Sequence, residues 1–146
     1  MKEKKALRVK GTRNHFLFVY GTLLNGQRNN GRLEGGSFIG GGVTVKRYRM
    51  TAGTYRDTFY SVPYVNSQKR THHVKGELYI VDDHLLRWVD RFEGHPRFYR
   101  RERIEVRSDD GRIVKAWIYF NNRAEGVHLV RGGDYARFVD RVWGAN

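Results

Sequence analysis

Residues 15–20, His-Phe-Leu-Phe-Val-Tyr, are almost wholly apolar and aromatic, the pattern of a strand buried on both faces. Gly21 stops the run, and Asn25-Gly26 and Asn29-Asn30-Gly31 continue as loop. Gly35, Gly36, Gly40, Gly41 and Gly42 then surround Ser37-Phe38-Ile39. Glycine at that density predicts bulges or bends in a curled sheet. The competing reading, a phosphate cradle, lacks both the Gly-x-x-x-x-Gly-Lys-Ser/Thr and the Gly-x-Gly-x-x-Gly spacings. Val43 to Met50 and Thr58 to Tyr64 read as further strands, the second weakened by Pro63.

His73 to Val81 is a clearer strand, and Asp82-Asp83 then offers an N-cap. Residues 84–93, HLLRWVDRFE, form the best helical pattern in the chain, with Leu85, Val89 and Phe92 on one apolar stripe. Gly94, His95 and Pro96 end it. Tyr99 to Arg107 and Ile113 to Phe120 follow as strands joined by the hairpin turn Asp109-Asp110-Gly111. A short terminal helix is expected around Tyr135 to Trp143. Strands outnumber helices and the last two are sequential, which predicts an α+β fold with a largely antiparallel, curled sheet.

Composition narrows the class. At 146 residues with 39% hydrophobic and 14% aromatic positions, the chain fits one compact domain and is not intrinsically disordered. No run approaches the ~18 apolar residues of a membrane helix. The opening Met1-Lys2-Glu3-Lys4-Lys5 leads into polar sequence rather than an apolar core, so a secretory signal is not expected and the cytoplasm is the expected compartment. Cysteine is absent, which removes disulfides, thiolate catalysis and every sulfur-ligated zinc site.

The net charge of +13 predicts a positive surface and some attraction to polyanions. Six basic residues lie in the first thirteen against Glu3 alone, so residues 1–14 read as a basic, flexible arm and 15–146 as the single domain. Five arginines between Arg97 and Arg107 suggest a nucleic-acid-binding alternative, but no recognised DNA- or RNA-binding signature accompanies them. The six histidines have no ligand spacing, and His72-His73 point to opposite faces of a strand. No metal is therefore expected.

Three segments are candidates for chemistry. Tyr20-Gly21-Thr22-Leu23 follows a buried strand, where a glycine lets the backbone approach a ligand and turns amide N–H groups toward a carboxylate or an oxyanion. Glu93 lies four residues after Val89, beside the apolar stripe and at a helix C-terminus, where the macrodipole disfavours an acid. Position alone leaves two readings for it: a general acid/base with a raised pKa, or a solvated acid paired with Arg97 or Arg100. Glu77, Tyr79, Tyr99 and Tyr119 form the third group, with core packing as the default for each tyrosine.

The ordered series FVYGTL (18–23), GELY (76–79), WVDRFEGHP (88–96), Tyr99-Arg100-Arg101 and WIY (117–119) resembles the gamma-glutamylcyclotransferase-like family, and within it the gamma-glutamylamine cyclotransferase branch. The resemblance runs from Phe16 to Tyr119. It implies a small closed β-barrel with flanking helices, consistent with the α+β reading. It also implies Glu93 as catalytic acid/base, Tyr20, Gly21, Thr22 and Leu23 as the loop holding the gamma-glutamyl group, and Tyr99 and Tyr119 as pocket residues. Arg101 matches too, yet with Ile104 and Val106 marking the core face, alternation turns it outward with Arg103 and Arg107.

The implied reaction is attack of the substrate's own α-amine on its γ-carbonyl, releasing 5-oxoproline and an amine or amino acid. It requires no cofactor, metal, nucleic acid or membrane. A non-catalytic binding or regulatory module of the same fold is the alternative, because resemblance establishes a site and not turnover. By position, segments 35–42 and 56–72 are the expected walls for the leaving amine.

Overall fold

The computed structural model describes residues 13–54 and 61–144. The basic arm predicted over residues 1–14 lies outside the described residues except for Arg13 and Asn14, as do the first three residues of the strand predicted from Thr58.

Seven strands are present among the described residues: β1 (Asn14–Val19), β2 (Ser37–Thr54), β3 (Ser61–Asn66), β4 (His72–Asp82), β5 (Arg100–Ser108), β6 (Ile113–Phe120) and β7 (His128–Leu129). Five of them close a barrel in the order β2-β4-β1-β6-β5, with β5 returning to β2 through Val43 opposite Arg107. Antiparallel pairing dominates, as expected; β1 beside β6 is parallel, with Leu17 opposite Trp117. β3 and β7 extend the sheet from the far half of β2.

One long strand takes in both the glycine-rich segment, read as bends of a curled sheet, and the strand predicted over Val43 to Met50. β2 spans 18 residues because its first half pairs with β4 and β5 and its second half with β3 and β7. The glycines are inside it, and the register shifts between Phe38 and Gly40 and again between Val43 and Arg47. Those irregularities bend a single strand through two sheets.

Leu17, Phe18, Met50, Val65, Val74, Leu78, Val106 and Ile118 fill the interior with almost no exposed surface, each removing ~1.5–3 kcal/mol of apolar side chain from water. The main helix, α1 (Asp83–Glu93), lies against β1 and β4. Asp82 caps it, accepting a hydrogen bond from the Leu85 amide at 2.8 Å. Gly94 ends it at φ 71°, a left-handed conformation that glycine adopts without penalty. The buried face centres on Leu86 and Val89, with Leu85 and Phe92 half-buried beside them. The stripe is thus turned slightly from the predicted one, because adjacent Leu85 and Leu86 both contribute. At the C-terminal end a short helix, α2 (Tyr135–Val139), runs into a π-helical turn, Asp140–Gly144.

Candidate active site

Three chain reversals meet at one end of the barrel. β1 ends at Val19 and turns sharply at Gly21, α1 ends at Glu93, and the chain returns through Phe98 and Tyr99 into β5. With Val62 and Pro63 of β3 and Tyr119 of β6 they enclose a cavity of about 350 Å³. The seven residues that the family resemblance assigns to the site (Glu93, Tyr20, Gly21, Thr22, Leu23, Tyr99 and Tyr119) all line it, whereas the candidates Glu77 and Tyr79 do not.

Gly21 is there for want of space. A Cβ at this position would lie 2.5 Å from Pro63 Cγ, so only glycine lets the loop pass under β3. The loop's carbonyls are then occupied from within: Leu24 N–H donates to Gly21 O at 3.0 Å, Asn29 N–H to Thr22 O at 2.9 Å, and Asn30 Nδ2 to Leu23 O at 2.8 Å. The Asn29 side chain also donates to Thr22 Oγ1 at 3.0 Å. The amides of Gly21, Thr22 and Leu23 make no hydrogen bond to any described residue. Successive free N–H groups beside a cavity form an anion cradle.

The tyrosines have the opposite polarity. Tyr20 donates its hydroxyl proton to Tyr119 O at 2.6 Å, Tyr99 to Pro63 O at 2.7 Å, and Tyr119 to Asp90 Oδ1 at 2.6 Å. With each proton committed to the protein, what the phenols can still offer is a lone pair. Burial, reinforced by the nearby Glu93 carboxyl, pushes all three pKa values up, so the phenols stay protonated.

Glu93 is half-buried against this group, with no hydrogen bond or ion pair from its carboxyl to any described residue. Burial pushes its pKa from 4.5 to about 8. The reading in which it pairs with Arg97 or Arg100 is not what forms: Arg100 pairs with Glu102 instead. A carboxyl poised near neutrality can take up a proton and return it within one reaction cycle.

Arg101 corrects the sequence reading. It sits opposite Tyr119 in the β5–β6 register, so both side chains leave on the same face. That face is not solvent here, because α1 covers it with Asp90. Arg101 Nε donates to Asp90 Oδ1 at 2.7 Å, and its guanidinium lies 4.2 Å from the Trp117 ring centre. Alternation assigned the right face; the helix above it was not visible to a period-2 argument. Asp90 thereby receives both Arg101 and the Tyr119 hydroxyl, and fixes where the phenol points.

Of the two wall segments expected for the leaving amine, 56–72 contributes Val62 and Pro63, whereas 35–42 contributes nothing. Arg28, Asn29, Phe92 and Phe98 line the cavity without having been singled out for it. Phe92 was legible as part of the helix stripe; for Arg28 and Asn29, in a polar loop, the sequence carried no signal. Glu77 and Tyr79 hydrogen-bond to each other at 3.3 Å and to Asn25 N and Asn30 Nδ2 respectively, serving to anchor the loop after β1.

The family model described as "Gamma-glutamyl cyclotransferase, AIG2-like" matches residues 17–137. A Methanocaldococcus jannaschii protein provisionally named a gamma-glutamylcyclotransferase is 37% identical over 121 residues, covering 82% of this chain and 94% of its own length. A Bos taurus gamma-glutamylaminecyclotransferase is 35% identical over 129 residues, covering 82% and 74%. Among solved structures, an AIG2-like protein from Mus musculus superposes with a TM-score of 0.72 at 29% identity, covering 84% of this chain and 88% of its own.

Proposed function

The chain belongs to the gamma-glutamyl cyclotransferase, AIG2-like family and is an enzyme of that kind, and from that premise we propose that it closes the gamma-glutamyl group of a small molecule into 5-oxoproline with Glu93 as the proton carrier. The observation that carries this reading is the Glu93 carboxyl, raised to about 8 and unpaired among the described residues, in the same cavity as three backbone amides that bond no described residue.

The substrate's α-ammonium lies among acceptors, the Glu93 carboxylate and the lone pairs of Tyr20, Tyr99 and Tyr119. Glu93 takes its proton, and the freed amine attacks the γ-carbonyl carbon of the same molecule. Because nucleophile and electrophile are already joined, much of the proximity advantage resides in the substrate. The amides of Gly21, Thr22 and Leu23 receive negative charge, from the glutamyl carboxylate or the developing oxyanion. As the tetrahedral centre collapses, the bond to the leaving nitrogen breaks, Glu93 returns its proton to that nitrogen, and the ring nitrogen gives up its second proton to the released amine, which departs as the ammonium. The products are 5-oxoproline and the released amine, and Glu93 ends ionised as it began.

Release of 5-oxoproline from γ-glutamyl-ε-lysine, γ-glutamyl-alanine, glutathione and simple γ-glutamylamines tests the reaction class. Turnover of at least one is expected. Silence across the panel from folded protein would overturn the reading.

A further inference from the structure

At the barrel end that carries the cavity, some arginines are held by the protein and others are not. Asp90 holds Arg101. Arg28 donates from Nη2 to Ser61 O at 3.0 Å and hydrogen-bonds the Tyr135 hydroxyl. Arg97 and Arg123, by contrast, are exposed, and their guanidinium groups make no hydrogen bond or ion pair with any described residue. Both line a second, smaller hollow of about 100 Å³, together with Arg100. Three guanidinium groups thus share one concavity, and no carboxylate lines it among the described residues.

The acids nearest in sequence are engaged elsewhere. Glu102 pairs with Arg100 alone, and Glu125 turns to Arg49 and Lys69. Two of the three charges are therefore uncompensated, and gathering like charges is unfavourable until a counter-charge enters. The backbone nonetheless holds the three in place. Arg100 lies opposite Phe120 in the β5–β6 register. Arg97 N–H donates to Gly94 O at 2.9 Å, just past α1. Arg123 N–H donates at 3.0 Å to Oδ1 of Asn121, itself 4% exposed. Two hydrogen bonds of 2.8 Å clamp the intervening Asn122 to Ser67. The side chains leave from fixed points, so only their own rotamers must order when a ligand binds.

Size and charge then say what fits. A hollow of about 100 Å³ has room for about three waters at ~30 Å³ each. That is the scale of one tetrahedral oxyanion and too small for a nucleotide or a sugar. Guanidinium forks match phosphate oxygens bidentately, and a phosphate dianion offsets both uncompensated charges. A carboxylate brings one negative charge and two oxygens, too few for three forks.

We propose that Arg97, Arg100 and Arg123 form a phosphate-binding site outside the catalytic cavity, taking inorganic phosphate or the phosphoryl group of a monoester. The claim is independent of the cyclisation proposed above. Phe98 lines both hollows, and its ring meets that of Tyr99 edge-on at 5.0 Å. A phosphate held here lies against the segment that joins Glu93 to Tyr99.

The test titrates the full chain with inorganic phosphate and, in parallel, with glycerol 3-phosphate. Ionic strength is held at about 0.15 M, and ¹H–¹⁵N amide shifts are the readout. The amides of Arg97, Phe98 and Arg123 should move together along one saturable curve with at least one of the two ligands. Those of Arg107 and Lys115, exposed at the other end of the β5–β6 hairpin, should stay in place. The tighter ligand names the source of the phosphoryl group. Arg97→Gln and Arg123→Gln should each weaken binding by ~10-fold or more, whereas Arg107→Gln should leave it within about twofold. Shifts that spread over both regions without saturating, or equal weakening by all three substitutions, would mean diffuse attraction to the +13 charge and overturn the site. Absence of any shift with both ligands would overturn it as well.

Discussion

The two ends of α1 carry acids in opposed surroundings. At the N-terminus Asp82 caps the Leu85 amide, and Asp83 pairs with His15 while accepting the Arg13 amide at 3.0 Å. Those acids stand where the helix dipole favours negative charge, and the His15 contact, followed by the Arg13 amide, lowers the pKa of Asp83. At the C-terminus Glu93 stands where the dipole opposes it, without a partner among the described residues, its pKa raised by burial to about 8. One helix thus spends acids on stability at one end and withholds that stabilisation at the other, where the proposed mechanism has the carboxyl exchange protons.

Breaking the active end should have the largest effect. Glu93→Gln is expected to lower kcat by ~10²–10⁴-fold, measured as 5-oxoproline release. It should also raise stability. The native state keeps a proton on Glu93 that the unfolded chain releases above its ordinary 4.5. The wild type therefore weakens as pH climbs from there to about 8, and the full penalty persists above. Glutamine removes this penalty, so the variant should gain ~1–3 kcal/mol at pH 8, after discounting for partial exposure, and little at pH 4.5. Denaturant titrations at the two pH values measure the difference.

Asp90→Ala sharpens the comparison from the middle of the helix. It strands the Arg101 guanidinium and frees the Tyr119 hydroxyl proton, and should cost ~1.5–3 kcal/mol of stability. Because the phenol then loses its fixed direction, kcat/KM should fall by about tenfold in protein shown to be folded at the assay temperature. Asp90→Asn, which keeps an acceptor for Tyr119, should recover part of that loss.

At the stabilising end, Asp82→Ala should cost ~1 kcal/mol and leave kcat unchanged, because the cap acts only on the helix. Asp83→Asn should flatten the acid limb of stability: the lowered pKa of Asp83 contributes above its unfolded value and is lost as pH falls through the folded one. The smallest effect is expected on removing residues 1–12, which should leave kcat/KM within about twofold, since Arg13 and His15, the contacts to α1, are retained.

Much of this asymmetry is legible in the sequence alone. The stripe of 84–93 placed the helix, and the acid at its end stood against both dipole and neighbours, which marked it. The strand-then-glycine at Tyr20-Gly21 was equally plain. What stayed hidden depended on contacts distant in sequence: the passage of Gly21 beneath Pro63, the cover that α1 gives Arg101, and the tethering of Arg28 by Ser61 and Tyr135. The glycine run in β2 was correctly read as bent sheet. Its length was not, because a strand serving two sheets carries no single alternation.

The central claim is that Glu93 carries the proton. The most direct measurement is the pH dependence of kcat/KM for 5-oxoproline release, wild type beside Glu93→Gln, from pH 5 to 10. The account predicts a wild-type profile that rises through a group titrating near 8, and residual activity in the variant from which that limb is gone. A variant with near-native turnover and the same profile would contradict it.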